Sequence, residues 1–239
     1  MHQHAEKLLQ HPVDHVTTWL FDLDNTLYPG TSSLFPQVEA RIRHFVARHL
    51  NLDEDAARIL QKQYYHTYGT TMCGLMVEHG VDPHTFLDYV HDIDHSALVP
   101  DPALRRVLLQ LPGRRLIFTN GSGKHARAVL KALDLEQVFE GVFDIHAAEY
   151  CPKPNPQTYH RMTAAFGLDP KTTAFFEDSP QNLETAAAMG MTTVLVHCGP
   201  GLPPLALFPE QALSAYCHHM TDHLTTWLEA ALHSLSRNQ

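Results

Sequence analysis

The segment VTTWLFDLDNTLYPG, residues 16–30, decides the fold class of this chain. Its apolar run WLF at residues 19–21 ends abruptly in two carboxylates, Asp22 and Asp24, and the hydroxyl of Thr26 follows. Unpaired charges at the tip of a buried strand are costly, so a strand that ends in acids indicates a functional site. Two carboxylates two residues apart on an extended chain lean the same way, which suits one nucleophile and one proton shuttle around a metal ion.

The length and composition are those of an ordinary globular protein. The 239 residues are 44% hydrophobic and 18% charged, which predicts one large domain or one core domain with a smaller insertion. The formal net charge is −9 at pH 7, and lysine and arginine form no stripe along the sequence. This charge argues against a nucleic-acid polymer as partner, whereas a local basic cluster can still bind a small anionic ligand.

The sequence carries no signal for secretion or membrane insertion. Residues 1–16 lack the basic start and the apolar stretch of a signal peptide. No apolar run reaches the roughly 20 residues that a membrane span requires. The cysteines lie in separate segments without CxxC spacing, so we expect reduced thiols and a cytoplasmic protein. They are Cys73, Cys151, Cys198 and Cys217.

Histidine is unusually frequent, with 19 residues. None of them falls in an HExxH pattern or in a Cys/His ligand pattern, so the sequence predicts no dedicated histidine metal site. We expect these side chains to be solvated at the surface. Those that first suggest a metal are His2, His4, His11, His15 and the pair His218-His219.

After residue 113, short apolar segments alternate with capped helical segments. Ser122, Asn155 and Ser179 each stand at the start of a helical segment, and proline follows the last two, which is a common start signal. Strands that alternate with helices predict an α/β fold with a parallel sheet and helices on both faces. The predicted strands are residues 16–22, 115–119, 142–146, 173–177 and 193–197.

Residues 31–99 interrupt this alternation with consecutive helical segments. In the first of them the apolar residues recur at helical spacing, so one face is apolar. About 70 helical residues between the first two strands predict a second lobe, with hinges at Pro29-Gly30 and at residues 99–102. The spaced apolar residues are Leu34, Val38, Ile42, Phe45, Val46 and Leu50.

This pattern predicts two domains. The core domain comprises residues 1–29 and 101–239, and the helical domain comprises residues 30–100. Near the C-terminus, residues 199–210 read as a proline-rich surface connection. A last amphipathic helix, predicted for residues 221–235, packs back on the core.

Polar side chains follow the first four predicted strands in turn. In an open parallel sheet the loops at the carboxyl ends of the strands share one crevice, so residues far apart in the sequence converge there. Each group is a weak signal alone, whereas four groups in this order predict one site. The groups are Asp22 with Asp24, Thr119 with Asn120 and Gly121, Lys153, and Glu177 with Asp178.

The charges of these groups point to a metal ion and a phosphate. Four carboxylates, those of Asp22, Asp24, Glu177 and Asp178, cannot all ionise in one crevice unless cations are present. A hard divalent cation with oxygen ligands meets that demand, and Mg²⁺ suits a site that also receives a phosphate. Lys153 adds a point charge for an anionic group, and the turn after the second strand offers a hydroxyl and backbone N–H groups. The pattern therefore suits attack on phosphorus.

These residues resemble the four sequence motifs of the haloacid dehalogenase-like hydrolase superfamily. The matching motifs are Asp22-x-Asp24-x-Thr26, Thr119, Lys153 and Glu177-Asp178. The helical insertion resembles the C1-type cap of that superfamily, and the resemblance implies a Rossmann-like sheet in the order 3-2-1-4-5. A closer resemblance is to the pyrimidine 5′-nucleotidase branch. It rests on DLDNTLY (22–28), YYHTYGTTMCGL (64–75), FTNG (118–121), CPKP (151–154) and EDSPQNLE (177–184).

The resemblance implies a role for each residue of the site. Asp22 would attack phosphorus and become a transient aspartyl-phosphate. Asp24 would protonate the leaving alkoxide and then activate the water that hydrolyses the intermediate. Mg²⁺ would be held by the Asp22 carboxylate, the Asp24 backbone carbonyl and the Asp178 carboxylate, with Glu177 as an auxiliary acid. The groups implied to bind the phosphoryl oxygens are Thr119, Lys153 and the backbone of Asn120 and Gly121.

Substrate choice is expected to lie in the helical domain. Four aromatic residues there could pack inside the lobe or face the crevice, and as a group they are candidates for contacting a nucleobase. The predicted substrate is a pyrimidine nucleoside 5′-monophosphate, and the predicted assembly is a monomer or homodimer. The alternatives are another phosphate ester such as a sugar phosphate or phosphoglycolate, a phosphomutase, or a non-catalytic binding protein. The aromatic candidates are Tyr64, Tyr65, His66 and Tyr68.

Overall fold

A six-stranded sheet forms the centre of the computed structural model, which describes residues 11–197, 213 and 215–237. Its strands are β1 (Thr18–Phe21), β2 (Arg114–Phe118), β3 (Gly141–Phe143), β4 (Thr173–Glu177), β5 (Thr192–Val196) and β6 (His219–Thr221). Their order is β3-β2-β1-β4-β5-β6, and each neighbouring pair is parallel. The predicted parallel sheet and its order 3-2-1-4-5 are confirmed. The sixth strand was not predicted, and it extends the edge beside β5.

Strand β1 is buried on both faces because helices cover both sides of the sheet. Trp19 and Phe21 pack into one apolar layer, whereas Leu20 between them packs into the other. A parallel sheet enclosed in this way favours a continuous apolar run over an alternating one, and WLF is such a run. The Trp19 indole also donates to the Pro112 carbonyl at 2.7 Å, so its polar end is satisfied.

The helices of the described chain fall into two groups by position in the sequence. Asp101, Ser122 and Asn155 accept backbone N–H bonds at three helix starts of the core, as Ser122 and Asn155 were predicted to do. Ser179 starts a helix without a side-chain cap. The helices are α1 (Leu34–Leu50), α2 (Glu54–Tyr68), α3 (Thr71–His79), α4 (Pro83–Val90), α5 (Pro102–Gln110), α6 (Gly123–Ala132), α7 (Pro156–Phe166), α8 (Pro180–Ala188) and α9 (Leu224–Arg237).

Helices α1 to α4, called here the helical insertion, lie between β1 and α5 and pack against one another. The predicted apolar stripe of α1 is buried at Val38, Phe45 and Val46. Gly74 of α3 allows α2 to approach closely, since a Cβ at this position would lie 2.4 Å from the Tyr64 ring. The α/β fold with an inserted helical unit is therefore confirmed, and its limits at residues 30 and 100 stay a prediction.

The expectation that the histidines are solvated is wrong for several of them. His219 is fully buried in β6 with its ring 5.1 Å from that of Trp227, and burial lowers its pKa to about 4. His125 is also buried. His11 and His15 are exposed, and His218 is half-buried. His2 and His4 lie outside the described residues, as do Cys198 and the proline-rich segment 199–210.

The remaining sequence expectations concern thiols and membranes. Cys73, Cys151 and Cys217 are free thiols, as predicted. The predicted C-terminal helix is present as α9 and packs against α5. No helix in the described part of the chain has both the length and the apolar character needed to cross a bilayer.

Candidate active site

Strands β1, β2 and β4 end side by side at the carboxyl edge of the sheet. Phe21 of β1 is in register with Ile117 of β2 and with Phe176 of β4. The residues that follow these strands therefore meet at this edge, and the loop after β3 reaches it as well. The predicted groups that contact one another there are Asp22, Lys153, Glu177 and Asp178.

Lys153 lies at the centre of these contacts and is almost completely buried. Its Nζ donates to Asp22 Oδ1 at 2.7 Å, to Glu177 Oε2 at 2.6 Å and to the Phe118 carbonyl at 2.9 Å. Burial opposes its positive charge, but the two carboxylates outweigh burial and raise the pKa of Lys153. The ammonium is therefore a fixed cation in contact with Asp22.

Three carboxylates surround this one cation. An oxygen from each of Asp22, Glu177 and Asp178 lies within 4.8 Å of the others. Burial first, and then the charge of Glu177, raises the pKa of Asp22 to about 8 despite the opposing charge of Lys153. Burial first, and then the charges of Glu177 and Asp22, also raises the pKa of Asp178. One ammonium cannot balance three acids, so the cluster has the charge and the donor atoms that suit a divalent cation.

Asn25 adds a further oxygen beside this cluster. Its Nδ2 donates to Asp178 Oδ2 at 3.3 Å, which orients the amide. Its Oδ1 is buried and has no hydrogen-bond partner among the described residues. A buried amide oxygen of this kind is a suitable partner for a hydrated Mg²⁺, since Mg²⁺ usually keeps several waters. The residues present therefore fit the predicted metal.

Asp24 stands apart from the acidic cluster. Its Oδ1 accepts hydrogen bonds from the Tyr28 hydroxyl at 2.5 Å and from His125 Nε2 at 2.9 Å. Burial opposes its ionisation, but His125 and Tyr28 outweigh burial and lower the pKa of Asp24 to about 2. The two acids of the DLD motif thus have opposite pKa shifts, because Asp22 lies beside Glu177 in a buried acidic cluster whereas Asp24 lies beside His125 and Tyr28. The predicted metal contact of the Asp24 backbone carbonyl stays a prediction.

The polar groups of the predicted phosphate-binding turn after β2 form hydrogen bonds with other residues of the protein. Thr119 is buried, and its Oγ1 accepts the N–H of Gly121 at 2.9 Å. Asn120 uses its side chain to hold the Lys153 backbone, accepting the Lys153 N–H at 2.8 Å and donating to its carbonyl at 3.2 Å. The sequence suggested only a backbone role for Asn120. The structure adds that its amide positions the loop that carries Lys153.

The four aromatic candidates of the helical insertion lie in different surroundings. Tyr64 is buried against α3 and shares a hydrogen bond of 2.7 Å with His79 Nε2. Tyr68 donates its hydroxyl to Glu78, and His66 is exposed. Tyr65 is 53% exposed, and burial followed by the charges of Asp178 and Glu177 raises its pKa. Of the four, Tyr65 is thus the one whose pKa is raised by carboxylates of the acidic cluster.

Three residues of the site were not found by sequence reasoning. Tyr28 ends the DLDNTLY segment, and His125 lies in the first turn of α6, which begins at the same edge of the sheet. His91 follows α4, and its ring stacks on that of His125 with centroids 4.4 Å apart. His125 could have been predicted only from its position two residues into a helix that begins at this edge. The chain has 19 histidines, so a histidine at such a position is a weak signal.

A known protein family matches most of this chain. The family profile described as "Hydrolase: haloacid dehalogenase-like hydrolase" matches residues 16–190. The chain belongs to the haloacid dehalogenase-like hydrolase family. The match begins before β1 and ends after α8, so it includes each predicted site residue and the helical insertion.

This chain is similar to two curated proteins and, in its fold, to one solved structure. "Phosphate metabolism protein 8" of Saccharomyces cerevisiae is 30% identical over 74% of this chain, which spans 60% of the length of that protein. "Phosphoglycolate phosphatase" of Pasteurella multocida is 24% identical over 78% of this chain and 70% of its own length. The L-2-haloacid dehalogenase of Xanthobacter autotrophicus has a TM-score of 0.56 at 17% identity, covering 90% of this chain and 97% of its own. That last likeness concerns the fold alone.

Proposed function

We propose that this family member is a Mg²⁺-dependent phosphomonoester hydrolase that forms an aspartyl-phosphate on Asp22. The observation that carries the proposal is the arrangement of the two acids of the DLD motif. Asp22 is in contact with Lys153 and the acidic cluster, whereas Asp24 is held separately by Tyr28 and His125. This separation suits a nucleophile beside cationic groups and a second acid that moves a proton.

The first chemical step is a phosphoryl transfer to Asp22. A carboxylate oxygen of Asp22 bonds to phosphorus while the bond from phosphorus to the ester oxygen breaks. Asp24 is ionised in the free site; the negative charge of the bound phosphate ester raises its pKa, Asp24 takes up a proton, and it gives that proton to the departing alkoxide. Lys153 holds the nucleophile and adjoins the position of the phosphoryl oxygens. The Asp22 carboxylate, the Asp24 backbone carbonyl and the Asp178 carboxylate would hold Mg²⁺, with Glu177 as an auxiliary acid; the ion would keep Asp22 ionised and offset repulsion between this carboxylate and the phosphate.

The second step returns the enzyme to its starting state. Asp24 takes a proton from a water molecule, the water oxygen bonds to phosphorus, and the bond to Asp22 breaks to release inorganic phosphate. The same carboxylate thus acts first as acid and then as base. The fixed ammonium of Lys153 stabilises the Asp22 carboxylate as it leaves.

Asp24 also separates this proposal from the other reactions that the family resemblance implies. A dehalogenase has no use for an acid at this position, because halide leaves without a proton. A phosphonatase needs a lysine in the helical insertion for a Schiff base, and Lys62, an exposed residue, is the only lysine between residues 30 and 100. A phosphomutase also uses the second Asp, and bisphosphate-dependent isomerisation would reveal it. A non-catalytic binding protein gives no reason to keep these costly buried charges.

For the substrate we propose a pyrimidine nucleoside 5′-monophosphate and a cap role for residues 30–100. Tyr65 of α2 supports this proposal. Its aromatic side chain is half exposed, and the charges of Asp178 and Glu177 add to burial in raising the pKa of its hydroxyl. A flat apolar ring near the phosphate site suits a base attached to a phosphorylated sugar. The second candidate is phosphoglycolate, which the name of the Pasteurella multocida relative favours.

A substrate panel tests the activity and its metal dependence together. We expect UMP and CMP to be hydrolysed with a kcat/KM at least about tenfold above that of AMP, phosphoglycolate and glucose 6-phosphate. EDTA is expected to lower turnover by at least about a hundredfold, and added Mg²⁺ should restore it. Release of inorganic phosphate measures both effects. Equal or absent turnover of UMP and CMP contradicts the substrate proposal, and no turnover of any ester contradicts the phosphatase.

Replacing Tyr65 by Ala tests whether the helical insertion contacts the base. Base–aromatic stacking contributes about 1–3 kcal/mol, so the KM for UMP should rise about five- to 150-fold. The KM for glycerol 2-phosphate, which has no base, should remain unchanged. Tyr64→Phe is the matched control, because Tyr64 is buried and bonded to His79. An equal rise in KM for both esters would argue against stacking on Tyr65.

A further inference from the structure

The two hydrogen bonds that reach Asp24 end on the same oxygen atom. The Tyr28 hydroxyl and His125 Nε2 both donate to Oδ1, at 2.5 Å and 2.9 Å. Among the described residues no donor contacts Oδ2. Two donors on one oxygen leave the carboxyl group a single orientation, because rotation about its terminal bond would break both contacts. The two oxygens of this acid are therefore not equivalent.

The oxygen without a hydrogen bond lies beside the turn after β2. A Cβ placed on Gly121 would lie 3.7 Å from Asp24 Oδ2 and 3.2 Å from both Thr119 Oγ1 and His125 Cδ2. Oδ2 and the Thr119 hydroxyl therefore lie on the same side of the Gly121 backbone. Thr119 is one of the groups proposed to bind the phosphoryl oxygens, so the oxygen of Asp24 that carries no hydrogen bond lies beside the proposed phosphate-binding turn.

The His125 ring is held rigidly by groups from two parts of the chain. It is 2% exposed and stacks on His91, with centroids 4.4 Å apart and ring planes 12° apart. Ser122 Oγ accepts the His125 backbone N–H at 3.2 Å and also contacts His91 Nδ1 at 3.0 Å. His91 follows the last helix of the helical insertion, whereas His125 and Ser122 belong to the core. A residue at the end of the helical insertion thus packs against one face of the His125 ring.

We infer that Tyr28 and His125 are positioning residues that hold Oδ1 of Asp24 and reserve Oδ2 for proton transfer to the ester oxygen. Both the Nε2–H tautomer and the imidazolium donate from Nε2, so the contact does not depend on the titration of the ring. This inference rests on the proposed phosphatase activity, and it names the atom and the supports that the activity requires. Misplacement of such a group by about 1 Å can cost two orders of magnitude in rate.

The test compares esters whose leaving groups differ in their need for a proton. The leaving group of UMP is the uridine 5′-alkoxide, which needs protonation, whereas the leaving group of p-nitrophenyl phosphate is p-nitrophenolate, a stable anion. Tyr28→Phe and His125→Phe remove one donor each and keep the rings. In single-turnover experiments we expect each variant to slow the cleavage of UMP by at least about tenfold and that of p-nitrophenyl phosphate by less than about threefold.

A burst experiment examines the second step in the same variants. With p-nitrophenyl phosphate, we expect a burst of p-nitrophenolate close to the enzyme concentration, followed by a slow phase, because water activation needs the same positioned carboxylate. His125→Gln offers an amide donor in place of Nε2 and should restore part of the UMP rate. His146→Phe is the control, since His146 is stacked on His84 at 4.9 Å in a histidine pair that does not contact Asp24.

The outcomes separate this inference from the proposed function. If the unaltered protein hydrolyses neither ester, the phosphatase proposal fails. If it hydrolyses both and the Phe variants slow both esters equally, or neither, the positioning roles are wrong. Should His125→Phe fail to fold, Tyr28→Phe and His125→Gln still decide the question, because each keeps the size of the side chain it replaces.

Discussion

Replacing Asp22 by Asn is expected to lower the hydrolysis of p-nitrophenyl phosphate by at least about a thousandfold, because it removes the oxygen that bonds to phosphorus. The variant keeps the shape of the side chain and a hydrogen-bonding oxygen for Lys153, which now contacts Asp22 at 2.7 Å. Phosphate release under saturating substrate and Mg²⁺ measures the effect. This is the largest change in activity that we expect from a single substitution.

Two further variants show whether the loss of activity is particular to Asp22. Asp24→Asn should impair turnover while it still permits phosphate binding, since Asp24 moves protons and lies outside the acidic cluster. Asp169→Asn is the matched control, because Asp169 accepts the Lys171 N–H in an exposed turn. Unchanged activity in Asp22→Asn would falsify the aspartyl-phosphate mechanism, whatever the substrate.

Replacing Lys153 by Met is expected to lower the free energy of unfolding by about 3–5 kcal/mol, the usual cost of breaking a buried ion pair. Lys153 is buried between Asp22 and Glu177, and its removal leaves two buried carboxylates in contact with no cation of the chain. Urea unfolding followed by circular dichroism in EDTA measures the loss. Turnover should fall as well, because the phosphoryl group loses its fixed cation.

Lys124 provides a control with the same kind of contact at the surface. Its Nζ lies 2.8 Å from Asp88, and both side chains are exposed. An exposed pair contributes little to stability, so Lys124→Met should leave the urea midpoint nearly unchanged. A second control is Lys153→Met combined with Glu177→Gln, which removes one of the two unpaired charges and should recover part of the loss. Equal effects of Lys153→Met and Lys124→Met would contradict the assigned role.

Much of the site could be predicted because a parallel sheet turns sequence order into spatial proximity. Asp22 and Lys153 are 131 residues apart and Lys153 and Glu177 are 24 residues apart, yet each follows a strand of the same sheet. Once the strands were recognised, the meeting of these residues at one edge followed from the topology. The sixth strand was missed because β6 has only three residues, HMT, and shows no apolar alternation.

In the helical insertion the sequence pattern does not predict which of two neighbouring aromatic residues is buried. Tyr64 and Tyr65 are adjacent and chemically identical, and a helix turns by about 100° from one residue to the next. Packing decides that Tyr64 is buried, since Gly74 of α3 leaves room for its ring and His79 bonds its hydroxyl. Nothing in the local pattern distinguishes the two residues, so only the packed structure places Tyr65 on the outside.

The sequence by itself determined the fold class and predicted that Asp22, Glu177 and Asp178 meet beside Lys153, whereas the order of the first five strands came from the family resemblance. The sequence could do so because strand tips, helix starts and charge balance are local properties. Only the tertiary structure decided which partners each acid has. Asp24 and His125 are 101 residues apart, and their contact depends on how α6 begins and on the His91 ring that packs over it. Hydrogen bonds act over about 3 Å, a distance that spacing along the chain does not encode.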